Sequence, residues 1–521
     1  MTTVEELRDA KLKNLEGLKS LGVDPFPYTF AKTHSSSDLH EKYDSKLTPQ
    51  EHTQDKVSVA GRIMAKRGFG ALSFIDLLDG NGKIQVCIKK GHSSEASLKI
   101  LDFLDRGDFL GASGEVFKTK MGEVTVLVSD LTFLSKSLLP LPEKWHGLQD
   151  VELRHRQRHL DLVMNPDSRR AFVVKSKMIS LIRKYMDEHG FLEVETPTLQ
   201  PVYGGANARP FITKSHAWKS DFYLSISPEL YLKRLIVGGF ERVYTICKNF
   251  RNEDVDKTHN PEFTMMEFYA SYWDYNDIMN FTEDLMNFVA KELFGGTKFI
   301  YQEKEIDLSK PWKRITMIGA LKDLAKIDVE KLSDVQLKKL LKEHEAEIPE
   351  EEFSRGMAIA ELFSKTCEEH LIQPTFVMDH PKETTPLCKP HRKNPELIER
   401  IEPYINGWEV GNGYSELNDP ILQKKFFEDQ ANQGRAKGEN HPIDMDFVST
   451  LEIGMPPTGG MGLGIDRFAI LFTNSPTIRD VILFPQMKPE HGHEKAQVEE
   501  NSVQEKKQEI KDKQKSVEKK K

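Results

Sequence analysis

A chain of 521 residues is several times the size of an ordinary domain, so two or three domains are expected and a small disulfide scaffold is excluded. Apolar residues make up 38%, charged residues 30% and aromatic residues 9%, which is the balance of a folded globular protein rather than a disordered one. With 73 Lys+Arg against 81 Asp+Glu the net charge is −8, so binding to a polyanion must come from a local basic face. The four cysteines, Cys87, Cys247, Cys367 and Cys388, show no metal-ligand spacing and fit a reducing compartment. The N-terminus has neither the apolar core of a secretory signal nor the Arg-rich makeup of a transit peptide, and no run of about eighteen apolar residues spans a membrane. The expectation is a cytoplasmic protein.

Residues 1–54 read as a helical arm: a charged helix over Val4–Leu21, then Gly22 and Pro25-Phe-Pro27, which cannot continue a helix. From Val57 the period becomes two. Val57, Val59 and Ile63 mark one strand and Leu72, Phe74 and Leu77 a second. Asp79-Gly-Asn-Gly82 is a turn, after which Ile84, Val86 and Ile88 mark a third strand. A short helix near Ser94–Asp105 precedes strands at Gly114–Lys118 and at Val124, Val126 and Val128. This order predicts an OB-fold over residues 55–140, a small barrel that commonly receives single-stranded nucleic acid. Lys66, Arg67, Phe69, Phe74 and Gln85 offer the cations, rings and amide for that task; Phe74 reads equally well as core.

Residues 141–170 read as a basic linker, with Arg154-His-Arg-Gln-Arg-His159 and Arg169-Arg170 as either a phosphate contact or a solvated helix face. A helix over Ala171–His189 ends at Gly190, and a strand follows over Phe191–Pro197. Leu332, Leu337, Leu340 and Leu341 suggest a helical insertion at about 310–375 in a larger domain spanning 171–488. Residues 489–521, rich in Lys, Glu and Gln, are expected to be disordered.

Three segments place charges inside strand-like sequence, where an unpartnered charge is costly. The first is Phe250-Arg-Asn-Glu253 with Thr258-His-Asn-Pro-Glu-Phe263 and Glu267-Phe-Tyr269; its arginine suits a bidentate clamp on a phosphate or carboxylate. The second carries Glu402, Glu409 and Glu416 in two strand runs joined near Asn406-Gly407. The third is Gly459-Gly-Met-Gly-Leu-Gly464-Ile-Asp-Arg467, where glycines permit close backbone approach and an arginine opens a helix. Each alone is also read as an ion pair, a solvated carboxylate or a packing turn; their conjunction after an OB-type barrel is far more specific.

Over about residues 20–487 the chain resembles the class II aminoacyl-tRNA synthetases, and among them those specific for lysine. Phe191–Pro197 with its preceding helix resembles the family's first motif, Phe250–Glu267 the second and Gly460–Arg467 the third. Arg251-Asn-Glu-Asp-Val-Asp-Lys-Thr-His-Asn-Pro-Glu-Phe263 and Asn412-Gly-Tyr-Ser-Glu-Leu-Asn-Asp419 are close to lysine-specific signatures. The class I marks His-Ile-Gly-His and Lys-Met-Ser-Lys-Ser do not occur.

The resemblance implies an α+β multidomain fold, with a five-stranded OB barrel and a catalytic domain built on an antiparallel sheet flanked by helices. It implies a lysine–tRNA ligase with ATP, L-lysine and lysine tRNA as substrates, Mg2+ as cofactor and a homodimer formed through the first motif. Arg251 and Arg467 would be catalytic. Arg251, Glu253, His259, Asn260, Phe263, Gly464 and Arg467 would bind ATP, with Phe263 stacked on adenine. Gly205, Glu229, Glu267, Tyr269, Asn412, Tyr414 and Glu416 would bind lysine, Glu229 taking the α-amino group. Glu402 and Glu409 would bind the metal, and Arg67, Phe74, Gln85 and Glu123 would read the anticodon. Asp254 stands where the family usually has glycine, and Pro403 directly follows Glu402 in an expected strand. An aspartyl or asparaginyl enzyme shares the plan, but Glu267 and Glu416 argue for a cationic amino acid. A catalytically silent relative is set against by the intact Arg251, Glu409 and Arg467.

Overall fold

The period-two runs after residue 50 become the strands of a closed five-stranded barrel in the computed structural model, which describes residues 3–142, 148–346, 348, 353–436 and 443–489. Apart from Pro489, the expected tail lies outside the described residues. The chain divides into two units, Met1–Gly147 and Leu148–Lys521.

In the first unit, helices α1 (Val4–Ser20) and α2 (Ser36–Tyr43) precede strands β1 (His52–Phe69), β2 (Leu72–Leu78) and β3 (Lys83–Lys89). Helix α3 (Glu95–Ile100) and strands β4 (Phe109–Lys118) and β5 (Val124–Ser135) follow. The ring closes in the order β1-β2-β3-β5-β4, the three-strand, helix, two-strand arrangement of an OB-fold. The inward side chains Val59, Ile63, Ile75, Val86, Val126 and Phe133 form its core. The arm is part of this body, because Leu18 of α1 and Leu39 and Tyr43 of α2 are fully buried in the same core. A capping box from Thr3 and Glu6 starts α1, satisfying backbone N–H groups that its first turn cannot.

The second unit begins with α4 (Val151–Arg156), α5 (Arg158–Met164) and α6 (Pro166–Glu188). The basic run is neither a solvated face nor a phosphate contact at its centre. Arg154 and Arg158 pair with Asp161 at 2.8 and 2.6 Å, His155 lies 3.1 Å from Asp480, and Arg158 is 1% exposed. Then come β6 (Leu192–Glu193), a small sheet of β7 (Leu199–Gln200), β8 (Ile212–Lys214) and β9 (Asp221–Leu224), and helix α7 (Glu229–Val237). The strand expected over Phe191–Pro197 shrinks to two residues beside its neighbour; Pro197 has no N–H to extend a ladder.

Strands β10 (Arg242–Phe250) and β11 (Glu262–Ser271), helix α8 (Tyr275–Phe294), hairpin β12 (Lys298–Tyr301) and β13 (Lys304–Asp307), and β14 (Lys313–Thr316) follow. Helices α9 (Met317–Ala320), α10 (Asp334–Glu343) and α11 (Arg355–Thr366) then lead to β15 (Thr375–Pro381). Since β14 and β15 are parallel neighbours, this helical stretch is their crossover, with its own core of Leu337, Leu341, Leu362 and Phe363. The chain ends with β16 (Leu397–Ile405), β17 (Trp408–Glu409), β18 (Gly411–Ser415), α12 (Pro420–Ala436), α13 (Met445–Ile453), β19 (Thr458–Leu463) and α14 (Ile465–Thr473).

The large sheet runs β14-β15-β16-β18-β19-β11-β10-β6, with β17 hairpinned onto β16. All its pairs are antiparallel except β14–β15 and β10–β6. Asn406 and Gly407, both at positive φ, make the β16–β17 turn. Strand β16 pairs with β18 only at Arg400 and Ile401, so the ladder there has ended before Pro403. Alternation on β11 divides the sheet's two faces. Met266, Phe268 and Ala270 enter the core with Ile278 and Leu285 of α8 and Phe468 of α14, while Glu267 and Tyr269 point to the opposite face. Among the described residues no helix is long and apolar enough to cross a membrane.

Candidate active site

On that opposite face the register lines up two rows. Arg400, Tyr414, Gly460 and Tyr269 are successive partners across β16, β18, β19 and β11; Asn412, Gly462 and Glu267 form the row beside them. The middle strand offers glycine in both rows, and the space left there forms the floor of a cavity of about 810 Å³. A Cβ at Gly460 would overlap Glu416 Oε1 and the Tyr269 ring, and one at Gly462 would stand 3.2 Å from Met265 Cε. Gly205 adopts φ +85°, where a Cβ would meet Ser227 Oγ at 2.9 Å.

The deep end of the cavity is acidic. Glu229, Glu267 and Glu416 line it, and each is 4% exposed or less. Ser227 Oγ donates to Glu267 Oε1 at 2.8 Å and Tyr269 Oη to Glu267 Oε2 at 2.9 Å. Burial, with Glu229 nearby, holds the Glu267 carboxyl well above the ordinary carboxylate range, and burial does the same to Glu416. Lys233 Nζ bridges Glu229 Oε1 at 2.6 Å and Glu416 Oε2 at 2.5 Å. Lys233 is thus the charged hydrogen-bonding partner of both carboxylates, and on Glu416 it opposes the effect of burial. Asn412 is fixed by the Arg400 Nε donor at 3.0 Å and itself donates to Tyr414 Oη at 2.9 Å.

The outer end is cationic and aromatic. Arg251, just past β10, sets its guanidinium 5.1 Å from the centre of the Phe263 ring, and its buried Nε has no hydrogen-bond partner. Arg467, in the first turn of α14, donates to the Glu409 carbonyl and lies 3.0 Å from His259 Nε2. On the other side of that ring, His259 Nδ1 is 2.8 Å from Asp256 Oδ2. The His259 tautomer with its proton on Nδ1 satisfies both contacts, donating to Asp256 and accepting from Arg467. Glu253, Asn260 and Gly464 line the same end; Asn260 Nδ2 donates to Gln486 Oε1 at 2.6 Å and its buried Oδ1 is unpaired. Asp466 fixes the start of α14 by accepting from the Thr264 N–H at 2.7 Å and pairing with Lys175 of α6.

Of the two expected metal ligands, Glu409 lines the cavity and Glu402 does not. Glu402 takes Arg400 Nη2 on Oε1 at 2.5 Å and Tyr404 Oη on Oε2 at 3.0 Å. Among the described residues no group of three His, Cys, Asp or Glu side chains has the arrangement of a metal cage. The four barrel residues lie in the first unit. Arg67, paired in register with Phe74, forms an ion pair with Asp76 at 2.8 Å. Phe74 is half-buried and edge-on to the exposed Phe69, and Gln85 donates to Glu123 at 2.9 Å. Lys66 is turned inward onto the Leu101 carbonyl, so it leaves that face.

Sequence reasoning missed Lys233, Arg400, Ser227 and Asp256. The Glu229–Lys233 spacing looks like an ordinary i,i+4 surface pair, and nothing local marks it as buried. Arg400, two positions before the singled-out Glu402, was legible only as another strand charge.

Residues 150–488 match the family described as "tRNA synthetases class II (D, K and N)", and residues 57–134 match the "OB-fold nucleic acid binding domain". The lysine–tRNA ligase of Clostridium novyi is 49% identical over 484 residues, covering 92% of this chain and 94% of the relative. That of Carboxydothermus hydrogenoformans is 46% identical over 490 residues, 93% and 99% of the two chains, and lysine–tRNA ligase 2 of Methanosarcina mazei is 47% identical over 484 residues, 92% and 94%. The period-two barrel, the glycine-floored cavity and identities near one half over nine-tenths of the length agree: the chain belongs to the class II tRNA synthetases, within the lysine–tRNA ligases.

Proposed function

We propose that the chain activates L-lysine with ATP, releasing pyrophosphate, and then transfers lysine from the adenylate to the 3′ end of lysine tRNA, in the cytoplasm as part of translation. One observation carries the choice of amino acid. Three buried carboxylates, Glu229, Glu267 and Glu416, with Lys233 as the one cation paired among them, end one side of the cavity, and a buried guanidinium nitrogen without a partner, on Arg251, ends the other. Unsatisfied buried polar groups are rare and call for a reason. A ligand with an ammonium at one end and a carboxylate at the other supplies it.

In this reading Glu267, Tyr269 and Glu416 receive the ε-ammonium and Glu229 the α-ammonium, with Gly205, Asn412 and Tyr414 shaping the pocket. The lysine carboxylate attacks the α-phosphate in line, a step that needs no covalent enzyme nucleophile. Arg251 holds carboxylate and phosphate in one planar fork, so catalysis is positioning and charge stabilisation. Phe263 stacks on adenine, and Arg467, held by Glu409 and His259, faces the departing pyrophosphate; Glu253, Asn260 and Gly464 complete that end. Glu409, whose carboxylate lines the cavity, would hold a magnesium ion, which would supply charge neutralisation at the ATP phosphates, whereas both Glu402 oxygens are taken by Arg400 and Tyr404. Arg67, Phe74, Gln85 and Glu123 read the anticodon.

A homodimer forms around α6 and the small β7-β9-β8 sheet, where Val173, Leu199, Ile212 and Trp218 leave 53–74% of their surface exposed. Sedimentation at graded concentrations tests the dimer. Lysine-dependent exchange of labelled pyrophosphate into ATP, followed by charging of lysine tRNA, tests the reaction; exchange without added lysine dependence contradicts it.

A further inference from the structure

Three buried carboxylates, Glu229, Glu267 and Glu416, meet one buried ammonium, Lys233, at the deep end of the cavity. The carboxylates line the cavity and Lys233 does not, so it stands behind them. It reaches Glu416 from α7 across to the end of β18, and it is fully buried. It interacts with Glu229 on its own helix, with Glu416 after β18 and with Cys388, which forms an isolated bridge to Glu416; Glu267 on β11 and Tyr414 on β18 face the glutamates of the same cluster. Arg400 on β16 is the other cation that Cys388 and Tyr414 feel, and it is spent on Glu402.

We propose that Lys233 is a positioning residue that sets the pocket at two unmatched negative charges, so that it accepts an amino acid with two ammonium groups and disfavours one with a single ammonium. The inference rests on the lysine-pocket reading above. With lysine bound and the three carboxylates ionised around it, three negative charges less one internal ammonium leave two, which the α- and ε-ammonium groups of lysine match, while Arg251 balances the substrate carboxylate. Buried charge is tolerated where it is paired and costly where it is not, so selection follows from the count as well as from shape.

The count makes a prediction that a purely structural role does not. Lys233→Met leaves three unmatched charges and Glu416→Gln leaves one; the double variant leaves two again. Lys233→Met is expected to raise the KM for lysine by about 30-fold with the KM for ATP little changed, and to move the pH profile of kcat/KM for lysine toward alkaline pH, because the carboxylates lose the cation that favours their ionised forms. Lys233→Arg should restore much of the wild-type profile. The double variant should use lysine better than Glu416→Gln alone, by about tenfold. Should Lys233→Met not fold, the comparison of the double variant with Glu416→Gln still decides, since the double variant removes both members of that pair and leaves only Glu229 without its cation, a carboxyl that burial favours in its neutral form. A double variant no better than Glu416→Gln overturns the charge count. Glu267→Gln separates the two levels: an unchanged lysine KM there overturns the pocket reading itself, whereas a raised KM with no gain in the double variant overturns only the role of Lys233.

Discussion

Gly460 and Glu416 compete for one space: a Cβ on the glycine would overlap the carboxylate oxygen at the deep end of the cavity, with the Tyr269 ring close on the other side. Both side chains are buried, at 1% and 3% exposure, so neither can swing aside into solvent. Gly460→Ala is therefore expected to cost about 1–3 kcal/mol of stability by overpacking and to lower kcat/KM for lysine by about 100-fold. Thermal melting and pyrophosphate exchange read the two effects, and near-normal lysine use by the alanine variant would place the substrate elsewhere.

Arg251→Lys should nearly abolish adenylate formation, by at least about 100-fold, while the fold persists, since an ammonium cannot make the planar two-pronged contact. The guanidinium already sits beside Phe263 with its buried Nε unpaired. Circular dichroism checks the fold. A variant that exchanges pyrophosphate at close to the wild-type rate would show that the clamp is another residue.

The raised carboxyls make lysine binding pH-dependent. Burial keeps Glu267 and Glu416 protonated above the ordinary carboxylate range in the free protein. The unfolded chain has released those protons by then, so their contribution to stability is fully present below the ordinary carboxyl value of about 4.3 and is lost as pH rises through the raised folded values. Lysine favours the ionised carboxylates, so its binding releases protons and tightens as pH rises through the same window. Calorimetric titrations in buffers of different ionisation enthalpy, between about pH 6 and about pH 9, measure the proton count. Proton uptake on binding would contradict the assignment.

In the barrel, Phe74→Ala should leave lysine-dependent pyrophosphate exchange unchanged and impair charging of lysine tRNA, since a lost base stack costs about 1–3 kcal/mol. Phe74 is half-buried and outside the barrel core, with Phe69 as its ring neighbour, so the melting temperature should move little. A large loss of stability with normal charging would make it a packing residue after all.

Much of this was legible in the sequence because the barrel strands alternate cleanly: Val57, Val59 and Ile63 enter the core that their period predicts. The burial of Leu18 and Tyr43 in that core was not, since it depends on where the arm folds back. In the cavity, the residue types most tied to chemistry stood out: arginine and glutamate inside strands, and glycines before a helix. Lys233 did not, because a lysine four residues after a glutamate usually decorates a surface, and only the tertiary contact to Glu416, 183 positions further on, changes its meaning. The Arg154–Arg158 run misled in the opposite direction: its charges are matched by Asp161 and Asp480, partners that no local pattern announces.

The most direct test of the account is pyrophosphate exchange measured separately with lysine, norleucine, aspartate and asparagine, for the wild-type chain and for Glu416→Gln. The acidic pocket predicts exchange with lysine alone in the wild type, and a rise in the lysine KM with an unchanged ATP KM in the variant. Exchange driven by aspartate or asparagine, or by norleucine as well as by lysine, would contradict it.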